Sequence, residues 1–242
     1  MRLGRPLVAG TFIQRDNRFR ATVEVRGQPV WAYVPNSGRL EKLLVLGRPV
    51  LLRKADLSPR KTKYDLLLVK LGQALVSVDA RLPNNLLHEA IAASQMSEFI
   101  GYEAIHRGVP YGGSRLDFML EGDERRYFVE AKSVTLAHEG VALFPDAPTQ
   151  RGRRHVQELT QAVQEGKRDA IVFLVQREDA VIFAPNDEAD PAFGQALREA
   201  ANVGLELYAY LCRVSQDEVA LDRPIPVVLQ PPSVGRPHSG SG

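Results

Sequence analysis

Cysteine is nearly absent: Cys212 is the single thiol in 242 residues. An internal disulfide is excluded, and so is a zinc site built from several thiolates. Long apolar runs are missing as well. No stretch approaches the roughly 20 consecutive apolar residues of a membrane helix. The opening MRLGRPLVAGTFIQRDNRFR carries arginines throughout, where a signal peptide would need an apolar segment. A reduced, cytoplasmic protein with no membrane partner is therefore expected. HEA and HEG each join His to Glu, but neither continues to a second histidine at metalloprotease spacing, which sets a zinc hydrolase aside. No internal repeat is present, and only PPSVGRPHSGSG at 231–242 has the composition of a disordered tail.

Acids are scarce in the first third. Residues 1–80 hold 15 Lys and Arg against 6 Asp and Glu, whereas residues 81–242 hold 16 against 23. The near-zero total thus conceals a basic module joined to an acidic remainder, the distribution expected when one part meets a polyanion; a chance drift of surface composition is the competing explanation. Hydrophobic residues at 44% and charged residues at 25% fit a soluble globular chain, long enough for one large or two small domains.

The basic third reads as β-structure. PLVAGTFIQR, RFRATVEVR, PVWAYV, PVLLR, YDLLLVKL and ALVSV are short, rich in aliphatics and aromatics, and separated by turn residues. Closely spaced strands with little helix predict a small barrel over residues 1–80, and the OB-fold is the common small barrel that binds nucleic acid. The segment ADLSPRKTKY gathers Arg60, Lys61 and Lys63 beside Tyr64, a mixture of charge and ring that suits single-stranded or flexible nucleic acid. A plain solvated loop has the same composition.

Past Asn84 the periodicity changes. NNLLHEAIAASQM has helical spacing, EAIHRGV, SRLDFML and RRYFVEAK read as strands, and TQRGRRHVQELTQAVQEG is a helix with Val156, Leu159 and Val163 on one face. RDAIVFLVQ is apolar almost throughout, as in a strand covered on both faces. VIFAP, a helix from ADPAFGQALREAANV and LELYAYLCRV complete an α/β domain over residues 81–230.

Two strands carry acids in their middles. Alternation places Leu116, Phe118 and Leu120 on one face and Asp117 on the other; in the next strand Glu130 and Lys132 stand opposite Tyr127, Val129 and Ala131. A hairpin closed by an even-length loop within EGDERR would make Asp117 and Glu130 neighbours. Paired carboxylates repel unless a positive charge intervenes. Lys132 supplies one such charge, and a divalent cation, Mg²⁺ by its preference for oxygen, would supply more. A merely wet hairpin face is the alternative. Helix, Asp strand, ExK strand and helix, with the Asp 13 residues before the Glu, is also the order of the PD-(D/E)xK nuclease fold. In that reading Asp117, Glu130 and Glu89 are the metal ligands, and Lys132 stabilises charge on the phosphate. Arg151 and His155 share a helix face beside them.

Several ordered segments together resemble the sugar fermentation stimulation protein A family: PLVAGTFIQRDNRF, VPNSGRL, LPNNLLHEAI, GGSRLDFML, VEAKSVTL, ALFPDAPTQRGRRHVQEL and IVFLVQRED. The resemblance spans about Pro6 to Tyr210. It implies an α+β protein of two domains, an N-terminal OB-fold barrel followed by a PD-(D/E)xK nuclease-like domain. It also implies DNA as partner and a role in regulating sugar (maltose-type) utilisation. By position, Asp117, Glu130 and Lys132 match the family's SRIDF and VEVK motifs, and Glu89 matches its EAI glutamate. Asp146, Arg151 and His155 match the FPDAVTxRGxxH run, while Asn36 and Gly38 match the PNTG loop. Ser37, Ala131, Ser133 and Pro148 depart from the pattern; Ala131 faces away from the acids, whereas Ser133 replaces an amide beside Lys132. Asn36, Arg39, Arg60, Lys61, Lys63, Arg151 and Arg154 are the expected nucleic-acid contacts, in binding with little sequence preference. Two other functions stay open: hydrolysis of phosphodiesters with Mg²⁺, and an interaction module whose acids are vestigial. An oligomer is compatible with all three.

Overall fold

The computed structural model describes residues 1–4, 6–55, 60–122 and 125–230. The tail expected at 231–242 lies outside the described residues, as do 56–59 of the basic loop and 123–124 of the EGDERR turn.

Six strands form the first unit: β1 Val8–Asn17, β2 Arg20–Val25, β3 Gln28–Tyr33, β4 Pro49–Lys54, β5 Tyr64–Leu71 and β6 Ala74–Ser77. β1 pairs antiparallel with β2 and β4, β2 with β3, and β4 with β5; a parallel pairing of β3 with β5 closes a five-stranded OB barrel that β6 extends. The interior is aliphatic apart from Phe12, because inward positions alternate along each strand, as Ala21, Val23 and Val25 do on β2. One departure from alternation links the barrel to the rest. On β5, Leu66, Leu67, Leu68 and Val69 are all buried. The β4 register steps from Leu51↔Leu68 to Leu52↔Leu66, so Leu67 is an extra residue. Such a bulge turns two neighbouring side chains outward. Leu66 and Val69 fill the barrel, whereas Leu67 and Leu68 join the core of the second unit.

That second unit is a mixed six-stranded sheet in the order β15-β14-β12-β9-β8-β7. Its strands are β7 Ala104–Tyr111, β8 Ser114–Gly122, β9 Arg125–Val134, β12 Arg168–Val175, β14 Glu206–Val214 and β15 Val219–Ile225. The central three, β9, β12 and β14, run parallel. Helix α1 (Leu82–Ala92) covers one face together with Leu67 and Leu68. Helices α2 (Gln150–Gln164) and α3 (Pro191–Asn202) cover the other. A small sheet of β10 Leu136–His138, β11 Val141–Phe144 and β13 Ile182–Pro185 lies beside them.

The sequence reading missed β10, β11 and β15, and it placed Leu116 on the wrong face. Leu116 packs in the α2–α3 core while Phe118 and Leu120 pack under α1. Strict alternation therefore fails at Asp117, where the β8–β9 ladder has ended at Phe118↔Val129.

Candidate metal-binding and nucleic-acid site

The β8–β9 register runs from Phe118↔Val129 to Gly122↔Arg125, and one further step sets Asp117 opposite Glu130. Because the ladder stops there, the carboxylates take over its hydrogen bonds. Asp117 Oδ2 accepts from the Ala131 amide at 2.9 Å, and Glu130 Oε2 accepts from the Asp117 amide at 3.3 Å. Each acid thus caps backbone at the other's position, which holds the two groups side by side.

Their surroundings differ. Glu130 Oε1 accepts from Lys132 Nζ at 2.7 Å and from His155 Nδ1 at 2.5 Å, with Glu130 and His155 3% and 2% exposed. Burial pushes the Glu130 carboxyl up, but the Lys132 ammonium and the His155 hydrogen bond outweigh it and hold the group down at about 2. Asp117 has no ammonium of its own and accepts from Asn84 Nδ2 at 2.5 Å. Burial, and then the charge on Glu130, push it up to about 6. The pair therefore carries more negative charge than Lys132 offsets, and its donors are hard oxygens. Both properties fit a divalent cation of the Mg²⁺ or Ca²⁺ type. Among the described residues no group of three His, Cys, Asp or Glu side chains gathers as a ready-made metal cluster. Two carboxylates are the protein's contribution, which leaves positions for water and phosphate oxygens, as Mg²⁺ prefers.

Glu89 is not the third acid. It is exposed and stands 3.8 Å from the Met1 amino group. Asn84 is the α1 residue that reaches the site, and five residues at about 100° each carry Glu89 roughly 140° around the helix from it. Asn84 read only as a helix start, since nothing in its local pattern indicates a partner 33 residues away. His155 is present but fully engaged. Its Nδ1 meets Glu130 and its Nε2 accepts from Arg151 Nε at 3.4 Å, so it orients Glu130 and is not a free base.

The predicted nucleic-acid residues divide in the same way. Asn36 is 8% exposed; its amide donates to the Val78 carbonyl at 3.0 Å and accepts from the Gly38 amide at 2.7 Å, so it builds the PNSG loop and is not a surface contact. Arg15 fixes that loop from below, donating to the carbonyls of Arg18, Asn36, Gly38 and Arg39. Asp146 accepts from the Leu40 amide at 3.2 Å and lies where a Cβ on Gly38 would collide with it, 2.8 Å from Oδ2. Arg60 is committed in part to buried Asp65 at 3.1 Å. Lys61, Lys63 and Arg39 are exposed, and Arg151 and Arg154 are exposed near the start of α2, where Arg154 also donates to Ser114. Gln157, Gln161 and Gln164 continue that exposed stripe along α2, an Arg and Gln face where the sequence reading expected no helix to carry one.

Between the two units opens a cleft of about 510 Å³. Arg18, Ser37 and Arg39 line the barrel side, and Lys132, Ser133 and Thr149 the other. Ser133 accepts from Gln176 Nε2 at 2.8 Å, and Gln176 Oε1 accepts from Ser77 of β6 at 3.0 Å. The strand bearing Glu130 and Lys132 is thereby tied to the barrel, and a serine at 133 fills that place with a single hydroxyl.

Along most of its length the chain is similar to known proteins. Residues 13–78 match the SfsA N-terminal OB domain, and residues 81–218 match the sugar fermentation stimulation protein RE domain. A sugar fermentation stimulation protein homolog of Caldanaerobacter subterraneus subsp. tengcongensis is 44% identical over 95% of this chain and all of the relative. Another, from Alkaliphilus metalliredigens, is 49% identical over 89% of this chain and 94% of the relative. The structure of Pyrococcus furiosus SfsA in complex with Ca²⁺ superposes with a TM-score of 0.85 at 30% identity, covering 94% of this chain and 99% of that one. With both halves matched and the likeness running along nearly its whole length, this chain belongs to the sugar fermentation stimulation protein family.

Proposed function

We propose that the protein binds DNA mainly through the phosphate backbone, with little sequence selectivity, and acts in the setting its relatives' name describes, as a regulator of sugar utilisation. The observation that carries this reading is the cleft between the two units, in which Lys132, held 2.7 Å from Glu130, lines one wall and Arg18 and Arg39 the other. Exposed Lys61, Lys63, Arg151 and Arg154 add positive charge on both units. Contacts of this kind position a duplex without reading bases.

Two adjoining carboxylates with an ammonium 2.7 Å from one of them favour a second reading, hydrolysis of phosphodiesters with Mg²⁺. A bound divalent cation would polarise the phosphodiester and acidify a water. Asp117 and Glu130 would hold it, His155 keeps Glu130 in place, and Lys132, at 2.7 Å from Glu130, offers its ammonium to charge developing on the phosphate. The Ca²⁺ complex of the Pyrococcus furiosus relative supports a divalent-cation site.

The test is retention and cleavage of labelled duplex DNA with and without Mg²⁺ or Mn²⁺, by wild type and Glu130→Gln. Retention should fall by a hundredfold or more between about 50 and 200 mM salt through counterion release. Salt-insensitive retention refutes the DNA reading. Any cleavage should require the cation and vanish in Glu130→Gln; cleavage that persists refutes the nuclease reading.

A further inference from the structure

The outer surface where the β1–β2 turn meets the β2–β3 hairpin carries aromatic rings where a soluble barrel ordinarily carries polar groups. Phe19 and Trp31 are 43% and 45% exposed, and Phe19 stacks on Tyr33 with centroids 6.3 Å apart and planes 27° from parallel. The cause lies in the alternation. Ala21 and Ala32 point into the barrel, so their neighbours Arg20, Trp31 and Tyr33 point out, with Arg20 directly across from Tyr33. Each ring also has a guanidinium over it: Arg18 over Phe19 at 5.4 Å, Arg20 over Trp31 at 4.5 Å and Arg81 over Tyr33 at 5.9 Å. Asp16 and Asp79 pair with Arg20 and Arg81 and keep two of these arginines in place. Isolated exposed rings are ordinary. Three rings side by side, Phe19 in the β1–β2 turn and Trp31 and Tyr33 on β3, each with its own cation, form a repeating surface.

We infer that this surface binds single-stranded DNA, with bases stacking on Phe19, Trp31 and Tyr33 and the backbone following the arginines. The inference rests on the DNA reading above and specifies the form of DNA taken. Only an unpaired base exposes both its faces to an aromatic ring, and alternating rings and cations match the alternation of base and phosphate along one strand. A direction follows from Arg18. It neighbours Phe19 in the chain, borders the groove beside Asn17 and Arg39, and also lines the cleft whose far wall holds Lys132. A strand stacked on the hairpin would run past Arg18 toward the two acids. The basic loop around Tyr64, which composition favours for this task, has no such ring array among its described residues.

Trp31 is the chain's single tryptophan, so its emission reports on this surface alone. Full-length protein is titrated at fixed salt with an oligothymidylate strand, the matching oligouridylate and a duplex of equal length. The strand should quench Trp31. Trp31→Ala should weaken single-strand binding about tenfold, and a Phe19→Ala, Trp31→Ala double variant further, by the usual contribution of one stacked base. Trp31→Phe should restore most of the affinity, and duplex retention should change less than twofold in all three. Unquenched emission, or strand affinity unchanged in the double variant while duplex retention persists, overturns this inference and leaves the DNA reading intact. Loss of all DNA retention in wild type overturns both. Tighter binding of oligouridylate than of oligothymidylate overturns the assignment to DNA, and a change of oligomeric state in Trp31→Ala with unaltered strand affinity shows a contact between copies instead.

Discussion

Asp169, at the start of β12, is fully buried; its Oδ1 accepts a long bond of 3.3 Å from the Phe128 amide, and its Oδ2 has no partner. Burial pushes its carboxyl up to about 7 from 3.8. The folded chain thus holds this proton more tightly than the unfolded chain. By linkage the group has no effect below about pH 4, stability falls as pH rises from about 4 to about 7, and the loss is complete above that. Asp169→Asn keeps the acceptor for Phe128 and removes the charge. It should raise stability at pH 8 by about 2–4 kcal/mol and change it little at pH 4, read from urea midpoints at the two pH values. A variant equally stabilised at both would mean that ionisation is not the cause. The same scale explains what the site concealed. Asp117, Glu130 and Lys132 were legible because an acid in the middle of each of two successive strands meets the other once those strands pair as a hairpin. Glu89 misled because its motif position says nothing about helix phase relative to β8, and Asn84 was invisible for the same reason.

At the scale of elements, α2 matters because it carries His155 to Glu130, and its start is fixed by two side chains. Thr149 caps it, accepting from the Gly152 amide at 3.0 Å, and a Cβ at Gly152 would meet Thr149 Cγ2 at 2.7 Å. Asp190 caps α3 through the Phe193 amide at 3.0 Å and also accepts from the Thr149 amide at 2.8 Å, so one carboxylate anchors both helix starts. Thr149→Ala should cost about 1 kcal/mol, as a single cap does. Asp190→Ala leaves the Thr149 amide without its acceptor and the Phe193 amide with only the Asp190 carbonyl, and should cost about 2–3 kcal/mol. Denaturant midpoints decide the ranking, and equal costs would mean that the Asp190–Thr149 contact contributes nothing. α2 was legible from Val156, Leu159 and Val163 recurring on one face, and both caps follow the pattern of Thr or Asp just before a helical run. β10 and β11 were not, since three and four residues are too short for a period to show. β15, VALDRPI, hides its strand behind Asp222, Arg223 and Pro224, tolerated there because it is the edge of the sheet.

For the whole molecule, the composition shift near residue 80 suggests two independent domains, but the buried side chains form a continuous boundary. Leu67 and Leu68 leave the barrel wall through the β5 bulge and pack with Leu86 and Leu87 of α1 and with Phe118 of β8, and the Ser77–Gln176–Ser133 chain adds a buried polar tie. Sequence could not reveal this, because LLLV reads as an ordinary buried strand until the register slip is known. A shared core of this kind should make unfolding cooperative across both units. Trp31 emission follows the barrel alone, whereas far-ultraviolet dichroism follows the helices, which among the described residues lie in the second unit. The two transitions should coincide in temperature. Leu67→Ala removes a fully buried side chain at the junction and should lower both together, by about 2–5 kcal/mol. If emission and dichroism separate into two transitions, or if Leu67→Ala moves only one of them, the halves fold independently. The cleft between them would then be a hinge between separate bodies, and Arg18 would face Lys132 only in some of its positions.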